Sequence, residues 1–166
     1  IFTDDETIEG WKKYVEATVK RYKGKVTAYE VWNEPNLASG VNTPKMYADL
    51  LIMTGDIIRK YDPQAKIIGF SLAGTGYDRV VGYVDQAMKI LADAGKIDLI
   101  DYVGFHAYFT NPDESRGVIS GLQEKVKSYS PDIRLLQGES GCPSNLEWTH
   151  ALKYCEWNEY SQAKWD

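Results

Sequence analysis

The sequence is poor in the residues that build metal and thiol sites. It has only two cysteines, Cys142 and Cys155, and two histidines, His106 and His150. These four residues cannot form a cysteine-rich zinc site without help from carboxylates, so we expect no metal and no other cofactor. The sequence leaves open whether the cysteines form a disulfide or remain free thiols.

The sequence also lacks an excess of basic residues and any long apolar run. Its 19 lysines and arginines stand against 24 acidic residues, a net charge of −5. Binding to nucleic acid needs a basic face that displaces counterions, so we expect no nucleic-acid partner. The longest apolar runs, such as residues 67–73, are far shorter than the ~20 residues that cross a bilayer. We therefore expect no membrane span.

The first ten residues have no basic start, apolar core and small-residue cleavage site of the kind that a secretory signal contains. We expect any such signal to lie upstream or to have been removed. The sequence therefore leaves the location unknown, with a secreted or a periplasmic location open.

The composition is that of a globular protein. Hydrophobic residues make up 43% of the chain and charged residues 26%, and no internal repeat or Pro/Ser-rich linker occurs. A chain of 166 residues can form one domain with a full hydrophobic core. We expect a single domain over residues 1–166.

Helical and strand patterns alternate along the chain. Apolar residues at helical spacing predict helices over residues 8–22, 44–58, 80–91, 118–129 and 147–165. Side chains at residues 3–5 cap the first of these helices, and Thr43 with Pro44 begins the second. Segments rich in β-branched and aromatic residues predict strands over residues 26–32, 66–71, 101–108 and 133–138. This order indicates an α/β fold with parallel strands, and periodicity alone does not separate a barrel from a doubly wound sheet.

Chemically capable residues follow three of the predicted strands. Asn33 and Glu34 end the first strand, His106 and Tyr108 share one face at the end of the third, and Glu139 ends the fourth. The carboxyl ends of parallel strands form the face that carries ligands and catalysis. Two carboxylates there can cleave a glycosidic bond, one protonating the leaving oxygen while the other attacks the sugar. This chemistry needs no metal.

The segment Trp32-Asn33-Glu34-Pro35-Asn36 resembles the fourth-strand motif of clan A glycoside hydrolases, which are (β/α)8 barrels. In that clan a His-x-Tyr pair at the end of strand six precedes a glutamate at the end of strand seven. His106, Tyr108 and Glu139 are similar to these residues in order and spacing. The resemblance covers the whole chain and implies a partial TIM barrel of about four βα units, corresponding to strands four to seven with a preceding helix.

The resemblance also implies a function and roles for the site residues. The protein would be a retaining hydrolase of β-linked glycosides that acts by double displacement, with carbohydrate as its substrate. Glu34 would be the acid/base and Glu139 the nucleophile. Asn33 would bind the sugar 2-hydroxyl, Tyr108 would hydrogen-bond the nucleophile, and His106 would line the sugar site.

Two other functions remain open from the sequence. Four βα units are about half of such a barrel, so the chain could be a half-barrel without turnover that binds carbohydrate or is structural. An α/β enzyme of other chemistry, such as a metal-dependent hydrolase, could also use paired carboxylates, although few histidines lie near either glutamate. An unclosed barrel exposes apolar edges, so we also expect the chain to self-associate or to be unstable.

Overall fold

The computed structural model describes residues 4–37, 41, 43–146, 151–152 and 155–165. These residues form four strands, which are β1 (Ala28–Glu30), β2 (Lys66–Ala73), β3 (Tyr102–His106) and β4 (Arg134–Glu139). They also form five α-helices, which are α1 (Asp5–Tyr22), α2 (Pro44–Tyr61), α3 (Tyr83–Asp93), α4 (Ser115–Tyr129) and α5 (Glu159–Trp165). None of the helices in this part of the chain is long and apolar enough to span a membrane.

Local sequence signals start the first two helices as expected. The Asp4 side chain accepts a hydrogen bond from the backbone N–H of Thr7 and caps α1. The Thr43 hydroxyl accepts from the N–H of Met46 and caps α2, whose first residue is Pro44. Each cap satisfies one of the backbone N–H groups that have no partner inside the helix. Residue 3 lies outside the described residues.

All four strands are parallel, and their order in the sheet is β1-β2-β3-β4. Helices α1 to α4 pack against one another in the same sequence. A doubly wound sheet reverses its strand order at a switch point, whereas a barrel adds each strand beside the last. The sequential order therefore identifies the α/β fold as part of a TIM barrel, as the sequence predicted.

The main core lies between the sheet and the helices that cover it. Leu51 of α2 and Ile67 of β2 are fully buried there. A Cβ atom on Gly69 would lie only 3.1 Å from a Leu51 methyl group, so the glycine allows α2 to pack closely on β2. Further buried members of this core include Val19, Ile58, Leu72, Val84, Met88, Leu91, Val103, Leu122 and Val126.

A charged cluster ties the amino ends of the strands to α2. The Asp101 carboxylate accepts hydrogen bonds from Arg59 and Lys66, both at 2.7 Å, and from the N–H of Ile67 at 3.0 Å. Arg59 also donates to the carbonyl of Leu99. This cluster lies at the end of the sheet opposite to Glu34 and Glu139, so its role is in folding.

Several predicted boundaries were wrong, and β3 ends at His106 rather than residue 108, so that Tyr108 lies beyond the strand. Strand β1 ends at Glu30 rather than residue 32, and Trp32 beyond it has a left-handed φ of 68°. A π-helical turn, Asp78–Gly82, precedes α3. The last helix was predicted from residue 147, but residues 155–158 are not helical and α5 begins only at Glu159. The predicted start at residues 147–150 lies outside the described residues.

Candidate active site

The carboxyl ends of β1, β3 and β4 bring four of the predicted site residues together. Nδ1 of His106 lies 3.1 Å from Oε1 of Glu34 and 3.6 Å from Oε2 of Glu139. The Tyr108 hydroxyl donates to Oε2 of Glu139 at 3.0 Å. Both carboxylates therefore converge on one histidine, although they come from strands that are not neighbours in the sheet.

His106 is the buried centre of this cluster. Its side chain is only 1% exposed, against 22% for Glu34 and 47% for Glu139. A nitrogen 3.1 Å from a carboxyl oxygen shares a proton with it, either as N–H donating to the carboxylate or as acceptor from the carboxylic acid. The pair can thus hold one proton between the two groups. The histidine contacts both acids more directly than the sequence analysis expected.

Tyr108 is suited to donate a hydrogen bond to the second carboxylate. Burial raises the pKa of its hydroxyl above the ordinary value of 10.0, and the hydrogen bond to Glu139 and the negative charges of Glu139 and Glu34 raise the pKa further. The phenol therefore stays protonated near neutral pH. It can therefore donate a charge-assisted hydrogen bond to the Glu139 carboxylate.

The separation of the two acids is short. One oxygen of Glu34 and one of Glu139 lie within 4.8 Å of each other, and a ring nitrogen of His106 lies within the same limit of both. In retaining glycosidases the two carboxyl groups are about 5–5.5 Å apart, whereas inverting enzymes need about 6.5–9.5 Å to admit a water molecule. The nearest oxygens of the two acids therefore lie close together at this end of the sheet.

The backbone around Glu34 is held against the end of β2. Glu34 has a left-handed φ of 47°, and its N–H donates to the carbonyl of Ser71 at 3.0 Å. The Asn36 side chain accepts from the N–H of Ala73 at 2.9 Å and donates to the Ala73 carbonyl at 2.7 Å. These bonds continue the pairing of β1 with β2 beyond the last regular strand residue. They fix a backbone conformation that is rare outside glycine.

Asn33 lies at the same strand end as Glu34, and its side chain is exposed. Its backbone position between Trp32 and Glu34 puts it at the rim of the cluster. Its assigned role in binding the sugar 2-hydroxyl stays a prediction.

A glycine on β4 makes room for the histidine. A Cβ atom on Gly138 would lie 3.1 Å from Nε2 of His106, which is tighter than an ordinary contact. Gly138 also adjoins Glu139, so β4 supplies both the space beside the ring and one of the acids that the ring contacts.

The cysteines do not pair with each other. Neither is in a disulfide, and both side chains are half-buried in the segments that follow β4. Sγ of Cys155 lies 3.8 Å from the Thr110 hydroxyl, and Sγ of Cys142 lies 4.0 Å from the carbonyl of Gln162. The structure thus gives the thiol form of the two alternatives that the sequence left open. His150 lies outside the described residues.

The same three side chains could in principle hold a cation. Glu34, His106 and Glu139 are the one group of three or more metal-ligating side chains found among the described residues. They are also the residues that the resemblance assigns to catalysis and sugar binding. The expectation that no metal is used stays a prediction.

Sequence reasoning missed the residues that orient Glu34. Asn36 belongs to the quoted motif but had no assigned role, and Ser71 was placed only as the end of a strand. Their hydrogen bonds join positions 37 residues apart, which no local pattern reveals. Tyr47 falls within the predicted second helix, and its hydroxyl bonds to the carbonyl of Val31.

Comparison with known proteins supports the fold. No protein-family profile matches the sequence. Among solved structures, the chain is similar to a monomeric β-xylosidase from Caulobacter crescentus CB15, with a TM-score of 0.64 and 21% identity over 81% of this chain and 31% of that chain. It is also similar to a family 39 glycoside hydrolase from the gut symbiont Bacteroides cellulosilyticus WH2, with a TM-score of 0.65 and 21% identity over 98% of this chain and 34% of that chain.

A third similar structure is a GH10 xylanase from Thermobacillus composti, with a TM-score of 0.58 and 18% identity over 93% of this chain and 48% of that chain. The chain therefore spans about a third to a half of the length of these enzymes. At such low identity the likeness concerns the fold. We conclude that the chain has the fold of part of a glycoside hydrolase TIM barrel.

Proposed function

We propose that the protein is a retaining hydrolase of β-linked glycosides, with Glu34 as acid/base and Glu139 as nucleophile. The observation that carries this proposal is the approach of the two carboxylates within 4.8 Å of each other at the carboxyl ends of parallel strands. That separation suits direct attack by one carboxylate, because it leaves no room for a water molecule between acid and sugar.

The reaction would run in two displacements. An oxygen of Glu139 attacks the anomeric carbon while Glu34 gives its proton to the leaving glycosidic oxygen, so that a glycosyl ester forms on Glu139 and the alcohol departs. Glu34, now a carboxylate, removes a proton from water, and the resulting nucleophile attacks the same carbon and releases Glu139. The proton taken from water remains on Glu34. Glu34 therefore ends as the acid and Glu139 as the carboxylate, as at the start.

The neighbouring residues support each role. The Tyr108 hydroxyl donates to Oε2 of Glu139 and would hold that carboxylate in position for attack. Nδ1 of His106 contacts Glu34 and would hold the acid in a fixed direction. Asn33 is exposed at the rim, where its amide would bind the sugar 2-hydroxyl. Similar structures are a β-xylosidase and a xylanase, so aryl β-xylosides are the first substrates to test.

Replacement of either acid tests the assignment. In the intact protein that carries these residues, Glu34→Gln and Glu139→Gln should each reduce cleavage of an unactivated aryl β-glycoside by at least about 10³-fold. In Glu34→Ala, azide should restore turnover of a dinitrophenyl glycoside and give a β-glycosyl azide as the product. The small anion attacks the glycosyl ester on Glu139 directly and so needs no base. Retained cleavage in either Gln variant would disprove the assignment.

A second candidate function is carbohydrate binding without turnover by this chain. The observation in its favour is that the chain spans only 31% and 34% of two similar enzymes, and Glu139 is 47% exposed. Calorimetry with xylo-oligosaccharides beside a turnover assay separates the two functions, since binding without cleavage supports the second. Loss of cleavage on treatment with a chelator would instead favour metal-dependent chemistry at the same three residues.

A further inference from the structure

The hydroxyl of Tyr47 lies inside the parallel ladder between β1 and β2. The N–H of Val31 donates to the carbonyl of Ile68 at 2.9 Å, as a regular ladder requires. The next bond in that ladder would run from the N–H of Phe70 to the carbonyl of Val31. Instead, Phe70 N–H donates to the Tyr47 oxygen at 2.5 Å, and the Tyr47 hydroxyl donates to the Val31 carbonyl at 2.9 Å. One side-chain hydroxyl thus takes the place of one backbone hydrogen bond.

Both strands change conformation beyond this point. Phe70 and Ser71 have left-handed φ values of 77° and 45°, and on the facing chain Trp32 and Glu34 have values of 68° and 47°. Four such residues in two short segments are unusual outside glycine. Phe70 belongs to the rung that the Tyr47 hydroxyl separates, and the other three residues follow it in the chain. The inserted hydroxyl is therefore the place where regular pairing of β1 with β2 ends.

Hydrogen bonds connect this rung to the acid. Phe70, which donates to Tyr47, is followed by Ser71, whose carbonyl accepts from the N–H of Glu34 at 3.0 Å. Tyr47 is fully buried, and its ring packs on that of Phe70 with centroids 5.4 Å apart. The hydroxyl consequently has one position, and the backbone on both sides of it is fixed.

We propose that Tyr47 is a positioning residue for Glu34. The Tyr47 hydroxyl opens the ladder between β1 and β2, so that the Glu34 side chain turns towards His106. The inference rests on the proposed function, since it assigns Glu34 the task of protonating a leaving group. Tyr47 does not contact the sugar. Burial raises the pKa of its hydroxyl far above the ordinary value, so the group stays protonated and can donate and accept at once.

The test compares leaving groups in Tyr47→Phe, which removes one oxygen. A displaced acid slows departure of a poor leaving group, such as an unsubstituted phenol, but not that of dinitrophenol, which departs without a proton. In the intact protein we expect kcat/KM for the phenyl β-glycoside to fall by about 10- to 100-fold. For the 2,4-dinitrophenyl β-glycoside we expect a change of less than about threefold. In folded Tyr47→Phe, an equal fall with both substrates would overturn the proposal, because the loss would then not depend on proton donation by Glu34.

Tyr83→Phe is the matched control. Tyr83 is a neighbouring buried tyrosine whose hydroxyl donates to the carbonyls of Val41 and Thr43, both at 3.2 Å, away from the rung. It should lower the thermal midpoint as Tyr47→Phe does, yet leave the ratio of the two kcat/KM values unchanged. The same change of ratio in both variants would also overturn the proposal.

A second variant covers failure of Tyr47→Phe to fold. Placing 4-aminophenylalanine at position 47 keeps a donor at the rung and should restore at least half of the wild-type ratio. A folded protein without that recovery would contradict the proposal. Failure of Glu34→Gln to lose activity would disprove the proposed function itself. Loss in Glu34→Gln with an unchanged ratio in Tyr47→Phe would disprove the positioning role alone.

Discussion

Nδ1 of His106 lies 3.1 Å from Oε1 of Glu34, although 72 residues separate the two in the chain. The same nitrogen lies 3.6 Å from Oε2 of Glu139. One buried ring therefore sets the distance between the two acids. Any change that shifts this ring by a few tenths of an ångström is expected to alter how both acids meet a substrate.

Gly138→Ala tests the position of the histidine ring. Its Cβ would lie 3.1 Å from Nε2 of His106, so the ring must move, whereas the backbone of Gly138 is not among those with positive φ. We expect kcat/KM for an aryl β-glycoside to fall about tenfold. The free energy of unfolding should fall by no more than about 1–2 kcal/mol. Steady-state kinetics and urea unfolding measure the two quantities.

Gly117→Ala serves as its control. Gly117 lies in α4, and a Cβ atom there would meet nothing within 4 Å. Alanine should raise the free energy of unfolding by about 0.5 kcal/mol, because it restricts the unfolded chain, and should not affect kcat/KM. Wild-type kcat/KM in Gly138→Ala would show that the ring position does not matter.

Tyr108→Phe tests the donor to Glu139. It removes a hydrogen bond of 3.0 Å to a carboxylate, a contact worth about 1.5–3 kcal/mol in proteins, so we expect kcat/KM to fall about 10- to 100-fold. Tyr77→Phe, at a side chain that is 53% exposed, should change kcat/KM less than twofold. Equal kcat/KM values in Tyr108→Phe and Tyr77→Phe would show that the Tyr108 hydroxyl does not contribute to catalysis.

Asp101 should make the stability of the fold depend on acid pH. Burial raises the pKa of its carboxyl, but hydrogen bonds from Lys66, the Ile67 N–H and Arg59 outweigh burial and lower the pKa below 3.8. As the pH falls, Asp101 is therefore protonated in the unfolded chain before it is protonated in the folded protein. The stabilisation is full above about pH 4 and is lost as the pH falls through the folded-state pKa.

We therefore expect Asp101→Asn to lower the free energy of unfolding at pH 7 by about 2 kcal/mol and to reduce its decline below about pH 4. Chemical unfolding followed across this pH range measures both effects. Asp56→Asn is the control, because its ion pair with Lys96 is well exposed and should be worth less than about 1 kcal/mol. An unchanged acid slope in Asp101→Asn would contradict the assignment.

The edges of the sheet should promote self-association of the 166-residue chain. β1 and β4 are the outer strands among the described residues, and each pairs on one side only. Unpaired strand edges bind other chains. Size-exclusion chromatography at increasing concentration should show dimers or larger species. A concentration-independent monomer with a cooperative melt would disprove this expectation.

Much of the fold was predictable because its signals are local. The Thr43-Pro44 start of α2 and the spacing of its apolar residues depend on a few neighbouring positions, so the sequence showed them directly. The last helix was wrong for the opposite reason. Apolar residues at helical spacing continue after β4, but residues 155–158 are not helical. They contact distant segments instead, as Cys155 contacts Thr110.

By itself, the sequence determined the α/β alternation and the residues at the strand ends: Asn33, Glu34, His106, Tyr108 and Glu139. Each is set by periodicity and by adjacency in the chain. Only the tertiary structure decided how these residues meet, because the meeting depends on hydrogen bonds between remote strands. The Tyr47 hydroxyl in the β1–β2 ladder and the His106 ring between two acids are such contacts. They fix the direction of each carboxylate, which no local pattern specifies.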